Sequence, residues 1–371
     1  MDAIDIIEKD ICKSNVEIND IRLPNQFKNT SFSGFKKTDV KNQLILNINK
    51  GKLEPACYWC AELITAGHYM DIWETCIHYI GKYIHLGNPK IVIYIQMRFE
   101  MFREIVKESS VINEINLRNN SNIRKLFAEI ISTLTLSPKK HSFESIKINR
   151  VEEFDMTQMS ERLKATGIKY AETIMKHEDP RELYIAINEF SYNISKDAHN
   201  TIEACYWVEW IIEFDSICKK RKEPCLCEKR SKMPVENKYQ RDIIWILWDS
   251  LFNYCEVLDN PFISKLMMSI LEIFCIKYTT AACRKRRYLL YFAVALLTEP
   301  VPTNVDLNSN KQMVQNIIMK IDEIYKQIKK NEHSPKTDYL FKNIENQYNI
   351  ELSIRKMELV NSLDTMNRLP T

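Results

Sequence analysis

The sequence predicts an all-α protein: a multi-helical body arranged as a HEAT-like helical-repeat array, with a helical C-terminal extension. Three observations predict it. Glycine is scarce, with 6 in 371 residues and none after Gly167. Tight β-hairpin turns call for residues at positive φ, so so long a glycine-free stretch disfavours a hairpin protein. Apolar residues recur at three- and four-residue spacing along most of the chain. The pairs Asn88-Pro89, Asp179-Pro180 and Asn260-Pro261 read as helix starts. Each offers a side-chain acceptor at the N-cap and a proline at the first helical position, where the missing N–H costs nothing.

Taken in order, residues 1–12 read as a short amphipathic helix and 15–37 as a polar, extended arm with Pro24 and Gly34. Thr38-Asp39 caps a helix that stops at Gly51. Apolar spacing then predicts helices at roughly 54–66, 69–85, 89–107, 120–135, 160–177, 180–195, 200–221, 238–258, 261–278, 281–298, 309–330 and 336–360. The stretch 243–258 is apolar nearly all round and reads as a central buried helix. Residues 137–158 read as a boundary loop, and Pro300 with Pro302 as a second boundary. The expected organisation is an N-terminal helix and arm (1–37), a helical body (38–299, with halves 38–136 and 160–299) and a C-terminal extension (300–371). In the extension Met313, Ile317, Ile321, Ile324 and Ile328 form one stripe, fit to dock on the body or on a partner. Ala56-Cys57-Tyr58-Trp59 recurs as Ala204-Cys205-Tyr206-Trp207, each opening a long helix, which is the sequence basis for a repeat.

Several function classes are excluded at this level. Neither G-x-G-x-x-G nor G-x-x-x-x-G-K-[ST] is present, so no glycine loop cradles a nucleotide phosphate. G-x-S-x-G, H-E-x-x-H and the D-x-D-x-D-G calcium loop are also missing. The longest strong apolar run, 288–297, is far short of the roughly 18 residues of a membrane helix. The acidic start, Met1-Asp2-Ala3-Ile4-Asp5, does not read as a signal peptide, and the 11 cysteines read as reduced thiols. No cofactor, no small-molecule substrate, no membrane insertion and no catalytic residue are expected.

Weaker chemical candidates remain. Cys57 and Cys60 form a C-x-x-C without a preceding strand and read as buried thiols. Cys218, Cys225 and Cys227 lie in a cationic segment and are either three zinc ligands lacking a fourth or free surface thiols. His68, His78 and His85 read as single, partly buried histidines. His141-Ser142 beside Glu144, and the carboxylates Glu152, Glu153 and Asp155, supply catalytic residue types without an oxyanion hole.

The basic segments carry more weight. With a net charge of only +3, phosphate affinity would have to come from local patches. One is Lys277 with Arg284, Lys285, Arg286 and Arg287, interleaved with Tyr278, Tyr288 and Tyr291. A second is Lys219, Lys220, Arg221, Lys222, Lys229, Arg230 and Lys232; a third is Arg118, Arg124, Lys125, Lys139 and Lys140. Such clusters can bind RNA or DNA by counterion release.

The segments Asn29-Thr30-Ser31-Phe32-Ser33-Gly34-Phe35, Ala56-Cys57-Tyr58-Trp59, Lys82 to Lys90, Asn122 to Ile130, Lys139-Lys140-His141-Ser142-Phe143 and Arg284 to Tyr291 resemble an uncharacterised family of nucleocytoplasmic large DNA viruses, the chlorovirus and mimivirus relatives. The resemblance spans residues 28 to about 299. It implies a viral protein made in the host cytoplasm, in the viral factory, and it implies no catalytic residues. The function expected is a non-enzymatic scaffold or adaptor in viral transcription, replication or translation. It would bind viral or host proteins, and nucleic acid through its basic patches. The alternative is a virion structural protein, a minor capsid or internal component, which predicts exposed apolar surface on the arm and the tail stripe.

Overall fold

Helix α1 (Lys37–Asn49) buries Val40, Leu44 and Ile48, a four-residue spacing that lines them up on one face. The computed structural model describes residues 16–109, 114–150, 154, 162–308 and 310–333, and among these it forms thirteen α-helices, short 3₁₀ turns and two isolated β-bridges. Gly51, at φ +70°, turns the chain back, so α2 (Leu53–Thr65) packs on α1. α3 (Tyr69–Tyr79) continues as a π-helical turn, Ile80–Ile84. α4 (Ile91–Glu108) and α5 (Ser121–Leu136) follow. The side chain of Asn120 caps α5, accepting from the N–H groups of Asn122 and Ile123. Trp73 of α3 is fully buried, with the Phe127 ring 5.4 Å and the Phe102 ring 5.8 Å away.

The second half comprises α6 (Lys169–Glu172), α7 (Tyr184–Ile194), α8 (Thr201–Arg221), α9 (Ile244–Leu258), α10 (Pro261–Cys275), α11 (Thr280–Lys285) and α12 (Arg287–Thr298). α9 is the central helix its composition predicts: Trp245 and Trp248 are fully buried and both meet Phe274 of α10. Every residue of α12 from Tyr288 to Leu297 is buried, and the helix packs on α7, α8, α9, α10 and the π-turn. The apolar run that is too short for a bilayer therefore joins the two halves. One continuous core extends from Val16 to Ile328. Among the described residues no helix is long and apolar enough to cross a membrane.

The arm and the extension both close onto the body. Val16, Ile18, Phe27 and Phe32 are buried, while Ile21 and Leu23 stay exposed. α13 (Lys311–Lys329) lies on α2 and α5 and buries Val314, Ile321, Tyr325 and Ile328. Its end is tied to the arm: the Ile21 N–H donates to the His333 carbonyl (3.1 Å) and the His333 N–H to Asp20 (2.8 Å). Of the apolar surface expected for a virion component, Ile21, Leu23 and Phe35 of the arm and Met313 of the stripe are exposed, and the rest is partly or wholly covered.

Four expectations are corrected. The helix predicted over 160–177 shrinks to α6. Asn188 accepts from the N–H groups of Tyr170 and Ala171 and donates to the Gly167 carbonyl, and Glu189 accepts from those of Lys164 and Ala165, so side chains replace the helical ladder. The helix predicted over 281–298 breaks at Arg286, whose buried guanidinium donates to the Phe274 carbonyl (2.6 Å). Asn88 does not cap α4; it is buried and donates to the Leu307 carbonyl (3.2 Å). Asp179 does not cap a helix either, because Arg230 holds it. Asn260 does cap, accepting from Phe262 and Ile263 of α10. The predicted helices at 1–12 and 336–360, and the cluster Glu152, Glu153 and Asp155, lie outside the described residues.

Candidate functional site

The thiol candidates are structural in character. Burial pushes the Cys57 and Cys76 thiols up to about 12, and Cys60 is wholly buried beside them. A thiol held that high is a poor nucleophile and a poor metal ligand. Cys218 and Cys225 are half-buried and Cys227 is buried, so the three are not free surface thiols, and the cations around them do not keep them ionised. Burial dominates instead, raising Cys225 and Cys227 to about 12, and the Cys227 thiol donates to the Asp242 carbonyl (3.3 Å). Among the described residues, no three or more His, Cys, Asp or Glu side chains are placed to hold a metal ion.

The histidines divide. His68 meets the Thr30 carbonyl (2.9 Å) and His78 stands edge-on to Tyr288. His85 is fully buried at φ +29°, directly after the π-turn. Its Nε2–H donates to the His141 carbonyl (2.6 Å), its ring stacks on Phe143 at 4.2 Å, and its Nδ1 has no partner. Burial, opposed by that hydrogen bond, holds the imidazole down at about 4. Since the unfolded histidine titrates near 6.5, the unfolded chain binds the extra proton first. His85 therefore contributes full stability above about pH 6.5 and loses it progressively down to about pH 4, by roughly 3 kcal/mol. Urea unfolding of His85→Asn across this range is expected to show a shallower decline than the unchanged chain; parallel declines would refute the assignment. His141 is exposed, and no hydrogen bond joins it to Ser142 among the described residues, so no relay forms there.

The basic clusters are only partly surface features. Arg124, Arg230 and Arg286 are buried, which corrects their reading as phosphate contacts. Arg124 donates to the Arg118 carbonyl (2.7 Å) and lies 3.9 Å from the centre of the Tyr325 ring. Arg118 is likewise buried and donates to the Asp20 carbonyl (3.0 Å). Arg230 grips Asp179 (2.6 Å) and Asp249 (2.7 Å). Arg286 turns inward to Glu74 of α3, whereas Arg284 and Arg287 reach Glu213 and Glu209 of α8. The run 284–287 therefore does not make one face. Lys219 pairs with Asp215, Lys140 with Glu299 (2.6 Å), and half-buried Lys139 donates to the Thr135 carbonyl (3.1 Å). Lys125, Lys220, Arg221, Lys222, Lys229, Lys232, Lys277 and Lys285 are exposed and in no ion pair among the described residues.

Two of these lysines, Lys232 and Lys277, line a concavity among the described residues. A cavity of about 790 Å³ lies between α4 and α10, bounded by Leu117 at one side and by Lys232 and Pro234 of the loop 222–241 at another. Its floor is apolar: Phe99, Phe102, Val106, Leu271 and Ile276. Gln96 fastens the two helices beneath it, accepting from Ser269 (2.9 Å) and donating to Glu272. Its rim is cationic. Arg103 is paired to Glu100 (3.0 Å), but Lys107, Lys232 and Lys277 are unpaired among the described residues. Lys277, at φ +42°, follows the end of α10 and projects at this edge. Arg230 positions Lys232, because its clasp on Asp179 anchors the loop that carries both. Charge clustering along the sequence picks out Lys232 and Lys277. It misses Lys107 and the floor, although Phe99, Phe102 and Val106 fall three and four apart along α4 and continue the stripe of its buried Ile91 and Ile95. Compared with family models, with curated proteins and with solved structures, the chain matches none of them.

Proposed function

We propose that the protein is a non-enzymatic α-helical adaptor that holds a segment of a protein partner in the groove between α4 and α10. The observation that carries this reading is the groove itself, an apolar floor with three unpaired lysines on its rim. Pockets of this composition suit an amphipathic segment with an apolar face and flanking carboxylates. Bare phosphate would leave the apolar floor unfilled. The resemblance to the large-DNA-virus family supports a setting in the host cytoplasm. The HEAT-like arrangement belongs to the same proposal. It draws support from the recurring Ala-Cys-Tyr-Trp segment, whose Tyr58–Trp59 and Tyr206–Trp207 rings meet edge-on at 5.3 and 5.2 Å.

The test is fluorescence anisotropy on the full chain with three probes: an acidic amphipathic helical peptide, single-stranded DNA and double-stranded RNA. The peptide is expected to bind, and Lys107→Glu/Lys232→Glu/Lys277→Glu to weaken it at least tenfold. Binding of nucleic acid alone, or peptide binding indifferent to the reversal, would overturn the reading. Nucleic-acid contact is a second reading, favoured by exposed Lys220, Arg221 and Lys222 at the end of α8 with Lys229 beyond them. In that case affinity falls steeply with salt and with their substitution.

A further inference from the structure

We propose that the cavity between α2 and α13 is an arginine-binding site, which takes a guanidinium presented by a protein partner. It stands apart from the α4–α10 groove, since none of its lining residues borders that groove.

The cavity holds about 360 Å³, near the lower end of the range of about 300–1,000 Å³ for small-ligand pockets. Tyr58 and Trp59 line it from α2, and Ile317 and Ile324 from α13. Its charges are Glu54 and Glu323 against Lys320 alone, and none of the three is in an ion pair among the described residues. The rings are held in place. The Tyr58 hydroxyl donates to Glu62 (3.1 Å), and Trp59 meets Tyr58 edge-on at 5.3 Å and Phe35 edge-on at 5.5 Å. A turn delivers Phe35: Gly34 stands at φ +85°, and the Ser31 N–H donates to the Phe35 carbonyl (2.8 Å). Fixed aromatic rings beside carboxylates attract a cation through the negative ring faces and the acid charge together, with little left to order on binding.

The chain contains its own precedent. In the recurring segment Tyr206 and Trp207 form the same edge-on pair, but both are buried. There the Arg162 guanidinium lies 4.1 Å from the centre of the Tyr206 ring, and Arg162 pairs with Glu203 (4.0 Å). Glu203 precedes Tyr206 by three residues and Glu54 precedes Tyr58 by four, so each carboxylate neighbours its tyrosine on the helix surface. At the α2 copy the tyrosine, the tryptophan and the carboxylate recur without the cation. Among the described residues no Lys or Arg stands over Tyr58 or Trp59, which are half-buried and open to the cavity. Glu54 also suits the positive end of α2, but Glu323 sits in the body of α13, where the helix dipole gives it no such task. Arginine fits this setting better than lysine, because its planar guanidinium stacks on a ring while its N–H groups reach a carboxylate.

The full chain reports on the site without a label. Trp59 is half-buried, whereas Trp73, Trp207, Trp210, Trp245 and Trp248 are at most 4% exposed, so a ligand that meets tryptophan from solvent meets Trp59. Titration with the peptide acetyl-Gly-Arg-Gly-amide is expected to change the fluorescence saturably, and Trp59→Phe to abolish that change. The citrulline peptide, similar in shape but uncharged, should bind about fivefold more weakly. Glu54→Gln/Glu323→Gln, at two exposed positions, should weaken the arginine peptide to a similar degree and leave the urea midpoint unchanged. No saturable change, equal binding of the citrulline peptide, or indifference to the two glutamine substitutions would overturn the proposal. A trimethyl-lysine peptide that binds more tightly than the arginine peptide would also overturn it, because a methylated ammonium uses the rings and has no N–H to offer a carboxylate.

Discussion

Arg230→Ala is expected to destabilise the protein by about 3–5 kcal/mol, against a total of about 5–15 kcal/mol for a typical domain. The Asp179 side chain is fully buried and the Arg230 side chain is 2% exposed, so the pair sits beyond the reach of solvent. Truncating the arginine leaves a buried carboxylate with only the N–H groups of Lys176 (2.9 Å) and Glu228 (2.8 Å). Asp249 also loses its partner, but it keeps access to water at 27% side-chain exposure and adds less. Burial pushes Asp179 up, while Arg230 and the two N–H donors outweigh it and hold the carboxyl below its ordinary value. The stabilisation is therefore present at neutral pH and is lost as pH falls through that lowered pKa. In the variant the carboxyl titrates higher, so the stability gap should narrow on acidification below about pH 5. Urea unfolding at neutral and acid pH measures both; a loss under 1 kcal/mol, or a gap that widens in acid, would contradict the assignment. Because Arg230 also anchors the loop bearing Lys232, groove binding should weaken in the same variant while it is still folded.

This pair shows why the groove was only half legible in the sequence. Helical stripes such as Val40, Leu44 and Ile48 follow from local spacing, and so does the cap at Asn260. The three Asx-Pro pairs look alike in sequence yet differ in structure, because a distant partner claims two of them. Leu307 takes Asn88 across 219 residues and Arg230 takes Asp179 across 51. A helix-capping bond is worth about 1 kcal/mol, and a buried ion pair that would otherwise leave a naked carboxylate outweighs it. The run 284–287 misleads for a related reason. Neighbours on a helix point about 100° apart, so four consecutive cations do not share a face, and the break at Arg286 separates them further. The groove draws its floor from α4 and α10, which are far apart in sequence. Each contributes an ordinary amphipathic stripe, and nothing local marks them as partners.

Gly81→Ala is expected to lower stability by about 1–3 kcal/mol, whereas Gly167→Ala leaves it unchanged or raises it. In an unconstrained helical position alanine is favoured over glycine by about 1 kcal/mol. At Gly81 that gain is overridden by contact. A methyl group there would stand 2.8 Å from the Tyr288 carbonyl carbon and 3.0 Å from the Leu289 nitrogen. These are backbone atoms at the start of α12, a helix buried along its length, so the neighbour cannot swing aside as a flexible side chain would. Gly87 is pressed in the same way, 2.7 Å from the Pro138 carbonyl oxygen. Gly81 lies within the π-helical turn and His85, at φ +29°, stands between the two glycines, so the strained segment is held where backbone meets backbone on both sides. Gly167 has open space around it and no left-handed backbone, which makes it the internal control. Unfolding midpoints of the two variants should move in opposite directions or differ by at least 1 kcal/mol. Equal midpoints would mean that α12 is free to shift away from the π-turn, and that this contact is not what fixes the two halves together.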